Sequence, residues 1–289
     1  MKDLKKNSEL KALVSLLDEP DERIYLDIRN KLLDFGPDVL PVLESTWENT
    51  FNEEVQERIE SIMHVIQFDK IYEDLSDWVK KDEHNLLEAY IIVSRFQYPD
   101  LDEMHIIEQI NKLKRDIWLE LNENLTAFEE IKVFNRVLFE INKFTVNIKD
   151  IHHPQNSFIN TFLETKKGNA LSLGILYIIL AQSQELPIYG VNLPQNFVLA
   201  YTKDLGQFDE EDVLFYINPV NKGIIFSRNE IDNFLNQLKT EPEKTYYTPC
   251  SNLSIIRRLI NNLVYSYNHL EKPDKVEDLK KLLSLFEDL

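Results

Sequence analysis

The residues of this 289-residue chain that could carry nucleophilic chemistry form no compact motif in the sequence. Ser172 lies just inside an apolar run opened by Gly168-Asn169-Ala170. His152 and His153 are adjacent, and Cys250 is the single cysteine. A serine or cysteine nucleophile served by a histidine base would carry acyl transfer or amide hydrolysis. A glycine-led turn into a helix offers a second chemistry. Asn169 caps the helix, and the N–H groups of Leu171 and Ser172 are placed to receive an anion or a carbonyl.

Each candidate has a plainer reading. The turn at Gly168 is equally the capped start of a packed helix. His152-His153 reads as a pair of surface-loop histidines, because adjacent side chains in extended backbone point opposite ways and no Cys, Asp or Glu stands at metal-ligand spacing. No metal site is expected. Asp204, Asp209, Glu210, Glu211 and Asp212 crowd one turn without the regular spacing of a calcium loop, so they read as a hairpin tip. Cys250 follows Pro249 in an irregular stretch and has no nearby histidine.

The elements that must position these residues are legible. From about Asn169 to Gln184 the chain is apolar on every side, which marks a helix buried in a larger body. Pro187–Val191, Phe197–Tyr201 and Val213–Ile217 are runs rich in β-branched and aromatic residues, hence strands of a small antiparallel sheet packed on that helix.

The stretch from Asn156 to Gly223 resembles the SirB-type branch of the transglutaminase-like, papain-like superfamily. The resemblance rests on Asn156 to Phe158, Leu163-Glu164, Lys167-Gly168-Asn169-Ala170, Leu171-Ser172-Leu173, Leu186-Pro187, Val191-Asn192-Leu193-Pro194, Phe197 and Ile217-Asn218-Pro219. It implies a cysteine near the start of the buried helix, a histidine opening the second strand and an aspartate in the third. The helix end would stabilise the thiolate and the acid would orient the imidazole. Here those positions hold Ala170, Asn196 and Asn218, none of which can act as nucleophile, base or orienting acid. The resemblance therefore implies a degenerate core without catalytic residues. Asn196 and Asn218 would face each other across strands, either as a polar clasp or as part of a pocket that reads an amide. Asn169, Ser172, Gln195, Asn196 and Asn218 are the candidate binding residues.

Before the core, Ser8 to Phe144 reads as successive helices. Ser8 caps the first. Ile24, Ile28, Leu32 and Phe35 line the second, and Val39, Leu40, Leu43 and Trp47 the third. The pattern returns 31 positions on, with Val55, Ile59 and Trp78 echoing Ile24, Ile28 and Trp47. Residues 20–43 and 52–75 look like two HEAT-type units, helix pairs that bury one face by stacking. After the core, Ser227 and Glu230 make a capping box. Two closing helices resemble one tetratricopeptide-like hairpin, packed through Leu263, Tyr267, Leu279 and Leu283.

Composition narrows the function. A net charge of −18 opposes binding to a phosphate backbone or an anionic membrane surface. One cysteine fits a reducing compartment, and the basic N-terminus has no apolar segment behind it, so a cytoplasmic protein without a signal peptide is expected. The expected architecture is α+β and mostly α. It comprises a HEAT-like helical region (1–145), a transglutaminase-like core (146–240) and a C-terminal helical hairpin (241–289). The expected function is a non-catalytic protein- or peptide-binding module without cofactor. The alternative is a non-standard hydrolase or acyl transferase using Ser172, Cys250 and His152 or His153.

Overall fold

A computed structural model describes residues 2–81, 83–206 and 208–287, with side chains from Ser8 onward. The chain divides into two compact units, residues 1–74 and 75–289.

The first unit is helical. It contains α1 (Lys2–Val14), α2 (Glu22–Asp34), α3 (Leu40–Asn49) and most of α4 (Glu53–Val79). Asp21 caps α2 by accepting the Arg23 and Ile24 amides. Ser8 caps nothing, since α1 begins upstream of it. The core gathers Leu17, Ile28, Leu32, Leu43, Ile59 and Ile62. Ile24 lies outside it at 48% exposure, and Tyr25 takes the inward position. The Arg58 guanidinium donates to the carbonyls of Leu17 (2.8 Å) and Glu19 (2.9 Å), pairs with Glu54 (2.7 Å) and covers the Tyr25 ring. It thereby supplies donors to carbonyls just past the end of α1, where no further helical turn can. The second expected repeat, residues 52–75, is no helix pair. α4 runs through it unbroken, because no Gly or Pro interrupts Glu53–Val79.

The second unit holds the sheet. Helices α5 (Leu86–Arg95), α6 (Glu103–Trp118) and α7 (Ala127–Asn135) precede a π-helical turn over Arg136–Ile141. Then come strand β1 (Thr145–Val146), helix α8 (Ile159–Thr165), strand β2 (Lys167–Gly168) and helix α9 (Ala170–Gln182). β1 and β2 pair in parallel. Four antiparallel strands follow in order: β3 (Ile188–Leu193), β4 (Asn196–Thr202), β5 (Val213–Asn218) and β6 (Ile224–Phe226). Helices α10 (Arg228–Leu238), α11 (Asn252–His269) and α12 (Pro273–Ser284) close the chain. The fold is α+β and mostly helical, with one small antiparallel sheet. No helix among the described residues is long and apolar enough to cross a membrane.

Strand alternation explains how the sheet is covered. Val191, Leu193, Val198, Ala200 and Tyr216 join Ile231 and Leu235 of α10 on one face. The opposite face receives α9, which is buried from Leu171 to Ala181. Both faces being covered, β4 reads as an unbroken apolar run rather than an alternating one. The acidic turn before β5 is partly paired, Asp209 with Lys244, Asp212 with Lys203 and Glu210 with Arg228. At the chain's end Leu263, Tyr267 and Leu279 are buried in the α11–α12 hairpin, whereas Leu283 is half-buried and Leu282 takes the core position.

Phe197 fixes the spacing between α9 and the sheet. A β-carbon on Gly174 of α9 would come within 2.5 Å of its ring, and one on Gly190 of β3 within 2.5 Å of its tip. Replacing glycine by alanine inside a helix ordinarily stabilises by about 1 kcal/mol. Overpacking a filled core costs about 1–3 kcal/mol, so the steric term should win here. Gly174→Ala should therefore lower unfolding stability in urea, and adding Phe197→Leu should remove most of that loss. A stabilising Gly174→Ala would show that the ring has room to move.

Candidate functional site

At the start of α9, a reciprocal capping box sets the backbone. The Asn169 carboxamide oxygen accepts the Ser172 amide (2.9 Å), and Ser172 Oγ accepts the Asn169 amide (2.8 Å). Asn169 Nδ2 donates to Ser157 Oγ at 2.9 Å. Asn156, almost fully buried, donates to the carbonyls of Asp150 (2.6 Å) and Ile151 (3.2 Å) and accepts from Asn147 (2.9 Å). These contacts tie the loop that carries His152 to the segment leading into α9. Gly168 is required where it stands, since a β-carbon there would run into Ser172 Oγ and the Phe162 ring.

A cleft of about 700 Å³ opens over this helix start. Asn169, Ala170 and Leu171 form its floor. Gln195, Asn196 and Phe197, from the β3–β4 turn and the first residues of β4, form one wall. Gln195 is held there in left-handed backbone, φ 57°. The facing wall is α11, through Arg258, Asn262, Tyr265 and Ser266, and His152 sits on the rim with its ring centroid 5.3 Å from that of Tyr265. Arg258 reaches across to donate to Asn192 Oδ1 (3.1 Å) and to the Asn196 carbonyl (2.6 Å). Burial lowers its pKa, yet a guanidinium remains charged at neutral pH.

Of the sequence candidates, Asn169, Gln195 and Asn196 line the cleft, and so does Ala170 at the nucleophile position. Asn218 does not. Leu199 pairs with Ile217, so Asn218 comes level with Val198, two residues past Asn196. Its side-chain oxygen instead accepts the amides of Val220 (3.1 Å) and Asn221 (3.3 Å), while Asn196 Oδ1 accepts the Phe197 amide (2.9 Å). The expected clasp of two amides is therefore not made. Ser172 is fully buried, and its hydroxyl is engaged by Asn169 as donor and as acceptor. His153 turns away from the cleft, with Nδ1 accepting the Gln155 amide. His152 remains exposed but belongs to the rim, which its sequence neighbours did not reveal.

The α11 wall escaped sequence reasoning. Its signal was present: Arg258, Asn262, Tyr265 and Ser266 recur at i, i+4, i+7 and i+8, a polar stripe beside the buried Ile255, Leu259 and Leu263. Nothing local tells which surface such a stripe meets.

Cys250 is pinned to the sheet rather than to the cleft. Its amide donates to the Gly190 carbonyl at 2.8 Å. Burial pushes its thiol from 9.0 up to about 12, outweighing the charge of Arg258. A shift of that size leaves little thiolate, the reactive form. At pH 8 the native thiol should react with iodoacetamide at least ~100-fold more slowly than the urea-unfolded chain. Comparable rates would mean an accessible, activated cysteine.

The sequence comparisons bear on the same region. Residues 104–261 match the profile of the transglutaminase-like superfamily. A UPF0162 protein of Xylella fastidiosa (strain Temecula1) is 22% identical over 204 residues, covering 66% of this chain and 67% of its own. A UPF0162 protein of Xylella fastidiosa (strain 9a5c) is 25% identical over 138 residues, 48% of this chain and 47% of the relative, so the chain spans about half of that protein's length. Human F-box only protein 21 is 24% identical over 136 residues, 46% of this chain and 21% of the relative. No solved structure gives a significant match. With more than half of its length matched, including the buried helix, the sheet and the cleft residues up to Arg258, this chain belongs to the transglutaminase-like superfamily.

Proposed function

We propose that this chain is a non-catalytic member of its family, a pseudoenzyme that binds protein or peptide in the cleft over α9. The observation that carries the reading is the mismatch between an open cleft and its contents. The floor at the nucleophile position is the methyl group of Ala170, while the Ser172 hydroxyl and the Cys250 thiol are outside the lining. A nucleophile must share hydrogen-bond reach with a base and a reacting carbon. A binding cleft needs only shape and placed polar groups. Three carboxamides, on Gln195, Asn196 and Asn262, suit the donor and acceptor groups of a peptide backbone.

Within this proposal the family branch is SirB-type. Of the helices before the core, those of residues 20–43 act in the manner of one HEAT unit, the closing hairpin in that of a tetratricopeptide unit, and the protein works in the cytoplasm. The partner is a protein or peptide. The net charge of −18 argues against nucleic acid and anionic membranes. A second reading, an amide hydrolase or acyl transferase, has one feature in its favour: His152 stands on the cleft rim beside Tyr265.

The two readings separate in one experiment. The protein is incubated with a mixed library of unmodified peptides, and the retained and free fractions are then read by mass spectrometry. A binding module retains a subset intact, and filling the cleft with Ala170→Trp abolishes retention. Cleavage or acyl exchange of any peptide by the wild type, lost in His152→Ala or Cys250→Ala, would overturn the non-catalytic reading.

A further inference from the structure

Charge in the cleft runs against charge in the chain. Acidic residues outnumber basic ones by 50 to 32, yet among the described residues no Asp or Glu lines the cleft, and the one fixed cation of that lining is Arg258. Among the described residues Arg258 makes no ion pair. Its protein acceptors are two neutral oxygens, Asn192 Oδ1 at 3.1 Å and the Asn196 carbonyl at 2.6 Å. A guanidinium carries five N–H donors, so about three are left over after these two bonds. Its face is also occupied, with the Phe197 ring centroid 5.6 Å away. A partly desolvated cation held by neutral partners is electrostatically incomplete, since burial disfavours charge unless an opposite charge answers it.

The helix start supplies the second half of the site. Asn169 satisfies the Ser172 amide, but the N–H groups of Ala170 and Leu171 have no carbonyl a turn earlier within the helix to receive them. Both residues line the same cleft as Arg258. Backbone N–H groups at a helix start and a fork-shaped guanidinium are complementary to two oxygens that share one negative charge. A single arginine matches the charge of a carboxylate. A phosphate dianion, in a protein of net charge −18, would be left about half uncompensated.

We infer that the cleft takes the carboxylate of a peptide, seated between the Arg258 guanidinium and the amides of Ala170 and Leu171. This rests on the peptide-binding reading above and gives it a chemistry. Gln195 and Asn262 meet the backbone amides adjoining the carboxylate. The carboxylate is either a chain end or an Asp or Glu side chain, and the test separates these sources.

The test uses the full ¹⁵N-labelled chain and three synthetic peptides: N-acetyl-tetraalanine as free acid, the same peptide as C-terminal amide, and N-acetyl-Ala-Glu-Ala amide. Inorganic phosphate is a fourth probe. The free acid should shift the Ala170 and Leu171 amides, and the C-terminal amide should bind at least about tenfold more weakly, the loss expected for a charge-assisted hydrogen bond. Arg258→Met should weaken the acid about tenfold or more without changing the amide, and Arg258→Lys should fall between. If Arg258→Met does not fold, the acid and amide on the wild-type chain still decide. Tighter binding of the glutamate peptide than of tetraalanine amide also supports the inference and names a side chain as source. Equal binding of acid and amide overturns the carboxylate inference while leaving the peptide cleft standing. Silence of the cleft resonances to every peptide overturns both. Phosphate binding more tightly than the acid overturns the choice of a monoanion.

Discussion

The constraint on which this structure depends is the burial of α9. Every residue from Leu171 to Ala181 is buried, so the helix has no polar stripe with which to face water. Such a helix must be enclosed on all sides. The sheet covers one side through Phe197 and Leu199, and α5 and α6 pack on it as well. That requirement explains why α5, α6 and α7, all upstream of residue 145, belong to the same compact unit as the sheet. It also fixes the site. The first turn of α9 leaves amide N–H groups with no helical carbonyl to receive them, and the cleft lies there.

Two devices hold that first turn in place, and both use groups a catalytic site would need free. The Ser172 hydroxyl serves the capping box and the Asn169 amide group serves Ser157. Each replaces water on a buried polar atom, worth roughly 0.5–1.5 kcal/mol net and more if left unmade. The same atoms cannot also attack a carbonyl or receive its proton. Structural commitment of Ser172 is thus a physical reason to reject it as nucleophile, independent of any missing histidine.

Much of this was legible in the sequence because it depends on local pattern. α9 and three strands of the sheet follow from apolar runs, and the Ser227–Glu230 capping box from its spacing. β6 escaped because three residues, one exposed and two half-buried, are too few to show alternation, and the β1–β2 pair because two residues cannot. The helical pattern at residues 52–75 was periodic enough, but periodicity does not tell one long helix from two short ones. Of the two tryptophans read as repeats of each other, Trp78 is buried while Trp47 is 39% exposed and donates to Glu60. Asn218 was misplaced because strand register, unlike strand identity, depends on the turn between the strands. Arg258 was invisible for a similar reason: its partners lie 66 and 62 residues away in sequence.

Magnitudes indicate what kind of binder such a cleft can be. One carboxylate meeting a guanidinium and two amides gains about 1.5–3 kcal/mol for each well-made charged hydrogen bond, before the cost of immobilising the ligand. A net of ~4 kcal/mol corresponds to about millimolar affinity. A carboxylate alone is therefore a registration point rather than an anchor. Useful affinity has to come from the neighbouring residues of the peptide, and the cleft is large enough, at about 700 Å³, to hold several residues' worth of contact. Under the proposed reading, the carboxamides of Gln195, Asn196 and Asn262 would meet backbone without discriminating side chains, so selectivity would fall to the rim, where the exposed Tyr265, His152 and Ile151 stand. A site built this way would bind many sequences weakly at the floor and sort them at the edge.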